Sequence, residues 1–232
     1  MKYIGIIAAM EEEMNAIKKL MNEIKEIDIK NLKFIEGKIK KQDCVLVQCG
    51  VGKVNAARTT QLMIDNYEIE EIINVGSAGG LSDKLNVGDI VIGNKIVQYD
   101  FDITAFGHKK GYISGVGEYV ECDPNLISKI VNIVTETGGN YKVEQGIIAT
   151  GDRFCNSVEL KQTIIKEFNA IAVEMEGGAI AQVAFLNNVP VVIIRSISDS
   201  PNGNNEMDFE KYLELASSRC AEIIKKFVEY SC

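Results

Sequence analysis

Short, almost unbroken apolar runs alternate with amphipathic segments along most of this chain, and that alternation restricts the folds open to it. Residues 3–9, 72–75 and 189–194 carry apolar side chains at nearly consecutive positions. A strand with one wet face alternates, whereas a strand covered on both faces does not. Between such runs the period changes. Met14, Ile17, Lys18 and Met21 recur at three and four, which predicts a helix over 11–22. Residues 32–39 and 44–49 read as a hairpin around Lys40-Lys41-Gln42-Asp43. A helix is predicted over 54–67. Asp123 with Pro124 caps another to residue 137. Ser157 caps a further helix to residue 168, and helices close over 177–187 and 206–230. Strands are predicted at 143–149 and 171–173, and one or two over 89–102. Strands alternating with helices predict a single α/β domain over 1–232, with a mixed sheet covered by helices on both faces.

Composition supports this and removes other classes. The chain has 232 residues, 46% hydrophobic and 25% charged, enough for one sizeable core. Its formal charge of -8 opposes a phosphate backbone, so no nucleic-acid surface is expected. The six cysteines are scattered with no C-x-x-C pair, which reads as reduced thiols in a cytosol. One histidine, His108, sits in a polar loop, and no zinc-ligand spacing occurs. The apolar start is too short for a signal sequence and meets Glu11-Glu12-Glu13 at once. No run reaches the length of a membrane span.

Gly50-Val51-Gly52-Lys53 invites a phosphate-loop reading and fails it. Val47 stands where a P-loop needs its first glycine, and Asn55 where a dinucleotide loop needs its last. A tight strand-to-helix turn is the expected role. More informative is the run 172–181, where Glu174, Met175 and Glu176 interrupt small apolar residues. A buried carboxylate is costly without a partner. In open α/β sheets ligands bind beyond the carboxyl ends of strands. Met10 to Glu13, Gly76-Ser77-Ala78-Gly79-Gly80, Asp152-Arg153-Phe154, Glu174-Met175-Glu176 and Arg195-Ser196-Ile197-Ser198-Asp199 all fall at such ends. Together they predict a pocket with acids, small donors and an aromatic.

These stretches, with Gly5-Ile6-Ile7 and Asp102-Ile103-Thr104-Ala105-Phe106-Gly107, occur in order over nearly the whole chain. In them the chain resembles the 5′-methylthioadenosine/S-adenosylhomocysteine nucleosidases of the purine nucleoside phosphorylase superfamily. The resemblance implies a three-layer α/β/α domain around a twisted mixed sheet, used as a cytoplasmic homodimer without cofactor or metal. It implies hydrolysis of the bond between adenine N9 and ribose C1′, with 5′-deoxyadenosine as a further substrate.

A purine leaves poorly unless protonated, and the sugar must carry oxocarbenium-like charge, so an acid, a carboxylate and a positioned water are needed. By resemblance Asp199 is the general acid and Glu13 activates the water. Successive helix positions turn by about 100°, so Glu11, Glu12 and Glu13 cannot all face one site. Glu176 is expected on the ribose hydroxyls beside Met175, with Glu174 holding neighbouring structure. Phe154 is expected to stack on adenine and the Cys155 backbone to read its edge. Ser77 and Arg195 belong near the water, and Ser198 with the bound substrate. Met10, Val51 and Phe209 are expected around the 5′ substituent, with Ile103 and Phe106 reaching in from the partner subunit. Cys155, Ser114 and Pro201 depart from the family pattern and bear on 5′ preference. The alternatives are an aminodeoxyfutalosine nucleosidase, a phosphate-dependent phosphorylase, and a non-catalytic binder of adenosine-like ligands. The acids at Glu11 to Glu13 would repel phosphate.

Overall fold

The first apolar run becomes strand β1 (Tyr3–Ala8). It lies between two parallel neighbours, β4 (Gln42–Gln48) and β5 (Ile69–Gly80). Ile6 and Ile7 point to opposite faces and both have no exposed surface, which is why the run does not alternate. Each such side chain contributes about 1.5–3 kcal/mol by leaving water. The computed structural model describes residues 2–199 and 205–231, the side chains of 137, 205–209, 211 and 231 excepted.

Beyond β4 the sheet continues through β3 (Leu32–Ile39) to β2 (Asn22–Ile29) at the edge. β2 differs from expectation. The helix predicted over 11–22 stops earlier, as α1 (Glu11–Lys18), and an unforeseen strand follows. Nearly all of β2 is exposed, so its side chains carry no buried period. It is held through antiparallel pairing to β3, and its Glu and Lys residues suit an uncovered edge.

On the other side of β1 the sheet curls. β5 pairs in parallel with β10 (Val191–Asp199) and in antiparallel fashion with β9 (Ala170–Glu174). β10 pairs antiparallel with β6 (Ile90–Gln98), β6 parallel with β8 (Val143–Thr150), and β8 parallel with β9. These five strands therefore close on themselves. A two-residue strand, β7 (Val120–Glu121), hangs on β6. Closure brings the ends of β9 and β10 to β5 from opposite directions, so the pocket-forming ends do not all point one way along the sheet.

Helices cover both faces. α6 (Asn205–Ser231) packs on β10, β5, α1 and α3 (Pro124–Thr137). Its buried Leu213, Ala216, Cys220, Ile224 and Phe227 recur at three and four. α2 (Lys53–Asn66) packs on α5 (Gly177–Leu186), which lies over β6, β8 and β10. α4 (Val158–Phe168) lies on β8 and β9. The result is the mixed α/β sandwich of helices and sheet expected from the sequence. No described helix is long and apolar enough to cross a membrane.

Candidate active site

A cavity of about 370 Å³ opens where β1, β5, β9 and β10 meet. Its walls include Met10, Glu13, Val51, Ser77, Phe154 and Cys155, and Met175, Glu176, Arg195, Ser198 and Asp199. All were singled out from the sequence. Ile103 is half-buried and Phe106 is 81% exposed, and neither lines this cavity. The side chain of Phe209, and all of Pro201, lie outside the described residues.

Glu13 is reached by the first turn of α1. Met10 is the N-cap, which makes Glu13 the third helical residue. From there a glutamate folds back onto the N-cap amide, as in one half of a capping box. Glu13 Oε2 accepts from the Ala9 and Met10 amides, each at 3.0 Å. Oε1 accepts from the Ser77 amide at 3.0 Å and the Ser77 hydroxyl at 3.2 Å. Glu13 is buried while Glu11 and Glu12 are exposed. Because the N-cap is Met10 and not a cap-forming residue type, the sequence carried no capping signal that separated Glu13 from its neighbours.

Asp199 ends β10 and is 3% exposed. The Ser198 hydroxyl donates to its Oδ1 at 3.2 Å. Both acids rest on the backbone of β5. A methyl group added at Gly76 would sit 3.1 Å from Glu13 Oε1, and one at Gly79 would sit 3.2 Å from Asp199 Oδ2. The glycine stretch continues β5 as strand, and its bare backbone is what lets two carboxylates approach one strand.

Glu174 and Glu176 part ways. Glu174 Oε2 accepts from the amides of Glu176 at 3.0 Å and Gly177 at 2.7 Å, at the start of α5. Oε2 also pairs with Arg195 Nη2, the Glu174 and Arg195 side chains each being 2% exposed, while Oε1 accepts from the Thr150 hydroxyl. Arg195 Nη2 further donates to Asn74 Oδ1 at 2.6 Å. Glu174 is thus committed to structure. Breaking one side of a buried pair typically costs about 3–5 kcal/mol. Glu174→Ala is expected to lose that much unfolding free energy in a urea titration at pH 7. Arg195 Nε is buried without a hydrogen-bond partner among the described residues, as a donor awaiting a ligand or water would be.

Glu176 has a looser arrangement. Its Oε1 accepts from the Gly52 amide at 2.8 Å. The Gly50-Val51-Gly52-Lys53 turn therefore does more than redirect the chain. It is clamped there, because the Lys53 amide donates to Asp152 Oδ1 at 2.8 Å and Lys53 Nζ to Asp100 Oδ1 at 2.6 Å. Burial first, then the Glu174 charge, push the Glu176 carboxyl up to about 7, against the Gly52 hydrogen bond and Arg195.

The folded protein thus holds the Glu176 proton to higher pH than the unfolded chain does. Stability from this group is complete below the unfolded value, is lost as pH rises toward 7, and is absent above it. Glu176→Gln removes that penalty. In thermal unfolding without ligand the variant is expected to match the parent near pH 4.5 and to exceed it by about 1–3 kcal/mol at pH 8. An equal gain at both pH values would contradict the assignment.

One feature escaped the sequence reading. Lys161, on α4, is 3% exposed, and its Nζ lies 3.7 Å from Asp199 Oδ2. Its only sequence signal was its spacing from Ile164 and Phe168, the other buried residues of that helix. Arg153, named from the sequence within Asp152-Arg153-Phe154, lines the cavity. The Cys155 thiol is pushed up by burial, with Lys161 pulling it down and Asp199 pushing it up.

The family model of the phosphorylase superfamily matches residues 3–229. A 5′-methylthioadenosine/S-adenosylhomocysteine nucleosidase of Staphylococcus aureus is 42% identical over 226 residues, covering 97% of this chain and 98% of that protein. The crystal structure of the Neisseria meningitidis 5′-methylthioadenosine/S-adenosylhomocysteine nucleosidase in complex with methylthio-immucillin-A superposes with a TM-score of 0.95. It is 36% identical and covers 99% of this chain and 100% of its own. The native structure of a Helicobacter pylori futalosine hydrolase superposes with a TM-score of 0.94, at 31% identity, over 99% of this chain and 98% of its own. With identities this high over nearly the full length, the chain belongs to the phosphorylase superfamily, among the 5′-methylthioadenosine/S-adenosylhomocysteine nucleosidases.

Proposed function

We propose that this enzyme hydrolyses the N9–C1′ bond of 5′-methylthioadenosine and S-adenosylhomocysteine, releasing adenine and the 5′-substituted ribose. One observation carries the reading. Glu13 and Asp199 are each seated on a glycine of β5, and both line one cavity with Glu176. Two separated acids with a third carboxylate in the same cavity suit a reaction that gives a proton to one side of a bond and takes one from the other.

In this reading Asp199 protonates the purine at N7 as the glycosidic bond breaks. Glu176 accepts from the ribose hydroxyls, and its charge lies close to the oxocarbenium-like sugar. Glu13 takes the proton of a water held with Ser77 and the open Nε of Arg195. Phe154, at the mouth and 37% exposed, stacks on adenine, and the Cys155 backbone reads the base. Ser198 steadies Asp199, and Met175 packs beside the sugar. Met10, Val51 and Phe209 surround the 5′ group, where an apolar wall accepts a thioether and rejects a charged phosphate.

The wider proposals follow from the family likeness. Residues 1–232 act as one catalytic domain, in the cytoplasm, in salvage of methionine-derived thioethers. The unit is a homodimer, with Ile103 and Phe106 completing the partner's site. The high exposure of Phe106 leaves its ring available for that contact.

A second reading, an aminodeoxyfutalosine nucleosidase, is supported by likeness to the Helicobacter pylori futalosine hydrolase. It shares every adenine and ribose contact. Adenine release should be compared for methylthioadenosine, S-adenosylhomocysteine and aminodeoxyfutalosine. Fastest turnover of the two thioethers supports the first reading, and turnover of aminodeoxyfutalosine alone overturns it in favour of the second.

A further inference from the structure

Lysine is almost never fully buried without a partner, yet Lys161 is 3% exposed and its charge faces Asp199 Oδ2 at 3.7 Å. The carboxylate is equally buried, at 4% side-chain exposure. Lys161 comes from α4, an element that contributes no residue to the cavity lining, so the lysine reaches Asp199 from behind the wall. Its neighbours on that helix face, Ile164 and Phe168, are ordinary core residues. An aliphatic side chain would fill the same position without the cost of desolvating an ammonium. Charge, rather than volume, is the property this position supplies.

We propose that Lys161 is a positioning residue for the acid step, holding Asp199 and balancing the negative charge that its carboxyl acquires when it gives up its proton. The inference rests on the proposed role of Asp199. During reaction the proton passes from Asp199 to purine N7, and the electrons of the C1′–N9 bond leave with the base. Water forms the new bond to C1′ and its proton goes to Glu13. Asp199 is then an anion in a site from which solvent is excluded. An uncompensated buried carboxylate is costly, and the ammonium 3.7 Å away removes much of that cost in the transition state as charge develops. With Lys161 on Oδ2 and Ser198 on Oδ1, the carboxyl is also held in one orientation.

The test compares Lys161→Met, Lys161→Arg and Asp199→Asn on two substrates. One is methylthioadenosine, whose base must be protonated to leave. The other is the 4-nitrophenyl glycoside of 5-methylthioribose, whose leaving group needs no acid. Lys161→Met is expected to lower kcat on methylthioadenosine about 10- to 100-fold, with KM changing less than about threefold. Its loss on the nitrophenyl glycoside is expected to be at least about tenfold smaller. Lys161→Arg should restore part of the rate. The double variant with Asp199→Asn should be no slower than Asp199→Asn alone, because Lys161 acts through that carboxyl. An equal loss on both substrates, or no loss on methylthioadenosine while Asp199→Asn is impaired, overturns the role of Lys161. Undiminished hydrolysis by Asp199→Asn would instead overturn the role of Asp199 itself.

Discussion

Asp199→Asn is expected to lower kcat for adenine release from methylthioadenosine by about 10²- to 10⁴-fold, the usual worth of a positioned general acid. The substitution keeps the size of the side chain and its seat against Gly79. It also keeps an oxygen for the Ser198 hydroxyl, which now donates to Oδ1 at 3.2 Å. An amide has no proton acidic enough for the purine, so the chemical step suffers; its NH₂ also replaces Oδ2 beside the buried Lys161 ammonium, a separate cost that urea unfolding would register. Calorimetric titration with an adenine-containing, non-hydrolysable analogue should give a Kd within about tenfold of the parent's, the cost of one altered hydrogen bond. Loss of binding to the same extent as loss of rate would mean that Asp199 is needed for shape rather than for its proton.

Glu13→Gln is expected to produce the second large loss, and for two reasons that can be separated. Four donors converge on this carboxylate: the amides of Ala9, Met10 and Ser77 and the Ser77 hydroxyl. An ionised carboxylate only accepts, while a glutamine must turn an NH₂ toward one of those pairs. A buried donor facing a donor costs about 1–3 kcal/mol, which urea unfolding would register. The variant also cannot take a proton from water, so kcat is expected to fall by a further factor of about 10²–10⁴. Glu12→Gln is the matched control. It lies one residue away and is exposed, so its stability should change by less than about 0.5 kcal/mol. If Glu12→Gln impaired turnover as much as Glu13→Gln, the assignment of the water-activating acid would be wrong.

Much of this architecture was legible before any coordinates, because its causes are local. The unbroken run of β1 reflects burial on both faces. Asp123 and Ser157 cap their helices as read, each accepting amide hydrogen bonds of the first turn. The two carboxylates in the apolar run from β9 into α5 announced a demand for partners, and the structure separates them. Glu174 meets that demand within the fold, with Arg195, Thr150 and the start of α5. Glu176 meets it only in part, through Gly52.

What could not be read depends on contacts distant in sequence. Closure of β5, β10, β6, β8 and β9 rests on short pairings such as Gly79 with Val173, and glycine carries no periodic signal. The same stretch was legible as a pocket-forming strand end, but not as the bare backbone that makes room for Glu13 and Asp199. β2 was missed because an exposed edge strand has no buried face to pattern it. Lys161 was missed because a lysine between apolar positions reads as a solvated edge of its helix. Only the fold shows that α4 delivers it to Asp199. The proposed placing of Met10 and Val51 around the 5′ group comes from family likeness alone; the structure brings both to the cavity wall.

The account stands on water, and not phosphate, as the group that replaces adenine. The most direct measurement is product analysis with methylthioadenosine in phosphate-free buffer and again with added inorganic phosphate. Free adenine and free 5-methylthioribose are expected in both, at the same rate. Release that requires phosphate, with a ribose 1-phosphate as product, would contradict it.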